Sequence, residues 1–275
     1  MIKRILVALS GTPFTASAIE HGVELAKHHQ AEVSGVTVID PNRLLDVGPV
    51  PLGGAAAAHT LAEHRMHLAT EHVEEAIALF KSTCNKQNVP FRVLRETGDS
   101  AQRLLEDWRY HDLTIIGLRG LFEYGVLHNS EDLVLDVIGY GLRPLLAVAE
   151  TYHPIRSAMI AYDGSPLAAR AMKAFCTLGI WEPMPTTLVC FEHDKETASA
   201  LLADAKNYLI AHGYDATTEH RDEKPRPHIL EALDESGCDL LVMGAAKRSK
   251  LGRKLLGDTA RFALENSTHP IFLHH

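Results

Sequence analysis

The feature that most constrains this chain is that it says the same thing twice. Ile2-Lys3-Arg4-Ile5-Leu6-Val7-Ala8-Leu9-Ser10-Gly11-Thr12-Pro13 aligns with Ile155-Arg156-Ser157-Ala158-Met159-Ile160-Ala161-Tyr162-Asp163-Gly164-Ser165-Pro166. A second pair, Asp112-Leu113-Thr114-Ile115-Ile116-Gly117 and Asp239-Leu240-Leu241-Val242-Met243-Gly244, follows at a smaller offset. The second copy therefore lacks residues that the first has. The surplus is the Pro/Gly/Ala-rich stretch Pro41–Ala58, which reads as a surface excursion, with a lid over the first-half site or a partner-binding loop as alternatives. A repeat of this length means two similar folding units. The 275 residues suit two units of ordinary size, residues 1–150 and 154–275, joined near Glu150–Pro154.

Within each copy, short apolar runs alternate with amphipathic stretches. Ile5–Leu9 is a continuous apolar run, as expected of a parallel strand buried on both faces. Thr12 and Pro13 predict a helix from Pro13 to Lys27. The first half then gives strands at Glu32–Ile39, Phe91–Glu96, Leu113–Gly117 and Pro144–Val148. Its helices are predicted at Leu61–Cys84, Asp99–Trp108 and Glu131–Ile138. The second half repeats the order from Ala158–Tyr162 to Ile271–Leu273. Such alternation predicts an α/β chain of two doubly wound, five-stranded parallel sheets in tandem, Rossmann-like; the strand order expected in each is 3-2-1-4-5.

Composition excludes several classes. Apolar residues at 46% and charged residues at 23% describe a chain with a proper core. No long apolar run predicts a membrane helix or a signal peptide. The four cysteines are scattered, which predicts neither a disulfide framework nor a thiolate metal site and fits a reducing cytoplasm. A net charge of -8 speaks against nucleic acid as partner.

Ligands of doubly wound sheets sit beyond the carboxyl ends of the strands. That rule selects Asp163-Gly164-Ser165-Pro166 and the loop from Gly244 to Thr259. The latter holds Lys247, Arg248, Lys250, Arg253 and Lys254, five cations within eight residues of an acidic chain. Such a cluster attracts a polyanion. No P-loop, H-E-x-x-H or nucleophile-elbow motif is present. His64, His67 and Glu71 can share a helical face, but a solvated face is the expected reading and no metal is predicted.

These residues resemble the universal stress proteins in their tandem form, over essentially the whole chain. The resemblance rests on Ile160-Ala161-Tyr162-Asp163-Gly164-Ser165, the order of elements, the glycine ending the fourth strand, the long loop after it and the glycine opening the last helix. It implies a non-catalytic stress-response protein binding AMP, ADP or ATP through a pattern similar to G-x2-G-x9-G-[S/T], with an aspartate ending the first strand. The two edge strands, Leu145–Val148 and Ile271–Leu273, would pair antiparallel as an intramolecular pseudo-dimer, alone or within a homodimer. Carried over, the second-half site comprises Asp163, Gly244, Lys247, Arg248, Gly257, Asp258 and Thr259. Lys247 replaces the second glycine, and Asp258 stands at the Ser/Thr position. The first half keeps Gly117 and Gly120 but has Ser10 for the aspartate, Ser130 for the third glycine and Glu131 for the hydroxyl residue. Two alternatives stand beside this reading. One is a scaffold that has lost nucleotide binding; the other is a slow adenine-nucleotide hydrolase.

Overall fold

The computed structural model describes residues 2–124, 134, 137, 138, 144–248 and 254–274. The first half contributes β1 (Arg4–Ala8), α1 (Thr15–His29), β2 (Glu32–Ile39), α2 (Pro41–Leu45), α3 (Ala55–Gln87), β3 (Phe91–Thr97), α4 (Ser100–Trp108), β4 (Leu113–Gly117) and β5 (Leu145–Val148). The second contributes β6 (Ala158–Ala161), α5 (Pro166–Thr177), β7 (Thr186–Phe191), α6 (Lys195–Ala211), β8 (Ala216–Arg221), α7 (Pro225–Ser236) and β9 (Leu240–Gly244). It continues through β10 (Ala246–Arg248), β11 (Lys254–Leu256), α8 (Asp258–Asn266) and β12 (Ile271–His274).

The main sheet has ten strands in the order β3-β2-β1-β4-β5-β12-β9-β6-β7-β8. Each half is parallel and has the expected 3-2-1-4-5 order. The two sheets fuse because β5 and β12 pair antiparallel, with Leu145, Leu146 and Ala147 opposite Leu273, Phe272 and Ile271. These six residues are all buried. Central strands read as continuous apolar runs because both faces are covered, whereas outer β3 and β8 are only partly buried and carry polar residues.

Both halves open on the same latch. Asp112 Oδ2 accepts the Lys3 and Arg4 amides at 2.9 and 3.1 Å. Asp239 Oδ2 accepts the Arg156 and Ser157 amides at 2.9 and 3.1 Å. The repeated aspartates thus fix the start of the fourth strand against the start of the first. The halves are also tied by Tyr152, whose hydroxyl donates to Glu24 at 2.8 Å, and by His29 Nε2, 2.8 Å from the Ile180 carbonyl.

Three expectations need correction. The first helix begins at Thr15, because Thr12 and Pro13 lie in a turn closed by the Thr15 amide on the Thr12 carbonyl. Thr12 does not cap the helix; its own amide donates to Thr15 Oγ1. The surplus stretch is not all loop. Asp40 caps α2 by accepting the Asn42 and Arg43 amides, and the alanines from Ala55 onward extend α3 upstream. Alanine is the best helix former, so a run of four propagates the helix without a buried face. The basic loop holds a hairpin, β10 against β11, which alternation had not suggested. The helix expected at Glu131–Ile138 lies mostly outside the described residues, but Val134, Val137 and Ile138 are helical and buried.

Phe272 sits at the centre of the seam, beside Phe175 and Trp181. Phe272→Ala should cost about 3–5 kcal/mol by urea denaturation, the usual loss for emptying a buried aromatic position. His21 supplies a second test. It is buried against the Tyr152 ring, and desolvation, reinforced by the His153 charge, lowers its pKa to about 4. The unfolded chain binds the proton near pH 6.5 and the folded chain does not until about pH 4, so this term costs stability as pH falls through that window. Asp107, raised to about 6 by burial, acts with the opposite sign. The wild type should therefore lose roughly 3 kcal/mol relative to His21→Gln between pH 7.5 and 4, measured by chemical denaturation of both at each pH.

Candidate ligand-binding site

The loop after β6 is shaped by its own side chains. Asp163 Oδ1 accepts the Ser165 amide at 2.9 Å, turning the chain. Gly164 has φ +73, and a Cβ there would meet Leu201 at 2.6 Å. Ser165 then caps α5, its Oγ accepting the Ala168 amide at 3.2 Å, with Pro166 in the first turn. Gly244 ends β9 directly under that turn. A Cβ on Gly244 would lie 2.8 Å from the Leu167 carbonyl carbon, so this glycine lets α5 close onto the strand. Gly257 is different: a Cβ there would meet nothing within 4 Å. It precedes α8 as an N-cap with no side-chain hydrogen bond, and the first amides of that helix have no partner among the described residues.

These pieces converge. A cavity of about 410 Å³ lies beyond the carboxyl ends of β6 and β9. Asp163, Gly244, Gly257, Asp258 and Thr259 all line it. Asp163 and Asp258 are exposed, and Thr259 is half-buried. Lys247 and Arg248 follow at once in β10, opposite Leu255 and Lys254 of β11, and their side chains lie outside the described residues. The apolar wall, with Val189, Phe191, Ile229 and Met243, was not singled out from sequence. Val189 and Phe191 could have been, because they lie at the carboxyl end of β7 next to the first strand.

Phe191 brings more than its ring. The Tyr162 amide donates to the Val189 carbonyl, which turns alternate groups of β7, including the Phe191 N–H and C=O, towards the β6 side. Strand β6 has ended there, and the Phe191 pair has no hydrogen-bond partner among the described residues. It faces the same end of the sheet as the cavity.

The first half answers the same geometry with its own chain. Val38 corresponds to Phe191, and its amide donates to the Tyr124 hydroxyl at 3.0 Å while that hydroxyl donates to the Val38 carbonyl at 3.1 Å. Tyr124 and Phe122 are buried although both hold left-handed backbone, with φ +48 and +53. Bulky side chains adopt that conformation only under constraint. The Tyr124 ring crosses Gly11, where a Cβ would be 2.5 Å from Cδ1, and His72 Nδ1 meets the Tyr124 carbonyl. Ser10 is buried beneath, its hydroxyl unpartnered. Gly117 packs on Phe14. Ser130 and Glu131 lie outside the described residues.

Other groups are engaged or inert. A larger cavity, about 670 Å³, lies between the halves, but its Asp239 and Arg119 are committed to protein groups. His59 and His67 pair with Glu63 and Glu71 along α3. Among the described residues, no group of three His, Cys, Asp or Glu side chains is placed to hold a metal ion. Burial raises the Cys84 thiol to about 11 and Cys176 to about 12, so neither is a nucleophile at neutral pH. No helix among the described residues is long and apolar enough to cross a membrane.

Comparison with known proteins decides the family. The model of the Universal stress protein family matches residues 1–131 and 182–274. The chain belongs to the universal stress protein family. A universal stress protein of Synechocystis is 22% identical over 98% of this chain and 99% of its own length. Among solved structures, a universal stress protein from Archaeoglobus fulgidus superposes with a TM-score of 0.71 at 16% identity, covering 98% of this chain and 97% of that one. A functionally unknown protein from Pseudomonas aeruginosa gives 0.61 at 13% identity, covering 99% and 92%. At these identities the structural likenesses speak to the fold.

The two glycines of this universal stress protein should separate in stability measurements. Gly244→Ala forces backbone apart and should cost about 1–3 kcal/mol. Gly257→Ala meets open space and loses only N-cap preference, under about 1 kcal/mol. Thermal denaturation of both variants reads the difference.

Proposed function

We propose that this universal stress protein is a non-catalytic adenine-nucleotide responder with one working site, in the unit formed by residues 154–275. The observation that carries this is the open cavity at the carboxyl ends of β6 and β9, bounded by an uncapped helix N-terminus and an unpaired backbone donor–acceptor pair. A purine offers a flat face for Val189, Ile229 and Met243, and an edge with adjacent donor and acceptor for Phe191. Asp163 lies where ribose hydroxyls would reach its free oxygen. The amides opening α8 suit a phosphate, with Lys247 and Arg248 as countercharge on β10. No acidic pair or activated nucleophile among the described residues supports hydrolysis. Four free cysteines accord with a reducing cytoplasm.

The scaffold reading applies to residues 1–150. Tyr124 already satisfies the Val38 backbone that corresponds to Phe191, so on this reading the unit serves the fold and its contacts. One nucleotide should bind per chain.

Asp258 sets the phosphate preference. It stabilises α8 through the helix dipole, by about 0.3–1 kcal/mol, yet places a carboxylate among the amides a phosphate would use. AMP and ADP should therefore bind better than ATP. Calorimetric titration tests the reading. The expected results are one site per chain, loss on Asp163→Ala, little change on Ser10→Ala, and about tenfold tighter ATP on Asp258→Ser, equal to about 1.4 kcal/mol. Absence of AMP, ADP and ATP binding to the wild type would overturn it.

A further inference from the structure

The loop that follows β4 in the first half does not serve the first half alone. Arg119 leaves it and crosses to the far end of α8. Its Nη1 donates to the Glu265 carbonyl at 2.6 Å and its Nη2 to the Ser267 carbonyl at 3.3 Å. Both carbonyls lie at the C-terminal end of the helix, where backbone acceptors lack intrahelical donors and a cation is favoured by the dipole. The guanidinium also lies 5.4 Å from the centre of the Phe14 ring. Phe14 in turn is fixed against Gly117, where any Cβ would lie 2.6 Å from its own Cβ. Arg119 therefore has little freedom to follow α8 if the helix shifts.

The loop is anchored on its other side as strongly. Leu118, Leu121, Phe122 and Tyr124 are buried, and the Tyr124 hydroxyl holds Val38 through two hydrogen bonds. The segment from Leu118 to Tyr124 is thus a strap with one end in the first-half cleft that Tyr124 enters and the other on α8. That helix has nine residues, and its opposite end, Gly257 to Ala260, lines the open cavity. A displacement of a short helix along its axis moves both ends together.

We infer that Arg119 is a positioning residue for the second-half site. It holds α8 at the height where its first amides face the cavity, and Tyr124 sets Arg119 through the strap. The cleft into which Tyr124 reaches thereby helps to set the geometry of the one across the seam. The inference rests on the nucleotide reading for what occupies the cavity, but not for the mechanical link itself.

The test separates the two. Amide exchange of α8 is measured in the ligand-free full chain for Arg119→Ala, Arg119→Lys and Tyr124→Phe, and ADP binding is then titrated into each. Asp112→Asn, which weakens the β1–β4 latch without touching the strap, is the control for general destabilisation. Arg119→Ala should speed α8 exchange about tenfold and weaken ADP about five- to tenfold, the range of ordinary coupling between sites. Arg119→Lys should not restore either, because an ammonium lacks the two-pronged donor set. Tyr124→Phe keeps the ring, folds more readily than a truncation, and should move both readouts in the same direction by a smaller factor. Unchanged α8 exchange in Arg119→Ala overturns the inference, as does equal loosening in Asp112→Asn. If the wild type binds no ADP, the nucleotide reading fails while α8 exchange still decides the link.

Discussion

Everything in this molecule depends on one seam, the antiparallel pairing of β5 with β12. A five-stranded parallel sheet with order 3-2-1-4-5 ends in a bare edge, and here each edge is apolar where the two meet: Leu145-Leu146-Ala147 and Ile271-Phe272-Leu273. Left alone, either would offer unpaired amides and a greasy surface to any other strand. Duplication solves this within one chain, because each copy brings the partner the other lacks. The outer strands need no such cover. β3 carries Arg92 and Arg95, paired with Glu32 and Glu74, and β8 carries Arg221, paired with Glu219 and Glu235.

Much of the fold was legible because its physics is local or repeated. Strand positions followed from apolar runs, and Asp99 opens α4 as a cap where the sequence places a helix start. Alternation pointed to doubly wound parallel sheets, and the family resemblance implied which edges would meet. Misreadings arose where a long-range contact overruled a local signal. Thr12-Pro13 has a good helix-start sequence, yet Tyr124 packing over Gly11 keeps that segment in a turn. The hairpin β10–β11 was hidden because a charged stretch carries no apolar period, and backbone pairing alone defines it.

The site was legible in part. Asp163, Gly244, Gly257, Asp258 and Thr259 do line one cavity, but their reasons differ from one another. Gly244 is demanded by α5, and only Gly257 is free of any demand from the chain. A sequence pattern cannot separate a glycine kept for packing from one that leaves space for a guest. Nor could it show Tyr124. That residue lies outside every motif, and its role appears only when the hydroxyl is seen to sit on Val38. The paired halves make this readable: one backbone position, Val38, is answered by a phenol, and its twin, Phe191, by nothing from the described chain.

The antiparallel seam has a last consequence. Strand direction reverses at the midline of the ten-stranded sheet, so the carboxyl ends of the two halves point to opposite rims. The open cleft and the one that Tyr124 enters therefore face opposite rims, and they are also offset sideways by the β5–β12 pair between β4 and β9. A macromolecule docked on the rim with the open cleft would have no view of the other. The molecule is two-faced in the literal sense: one rim carries an open cleft, and the other a cleft that the Tyr124 side chain enters.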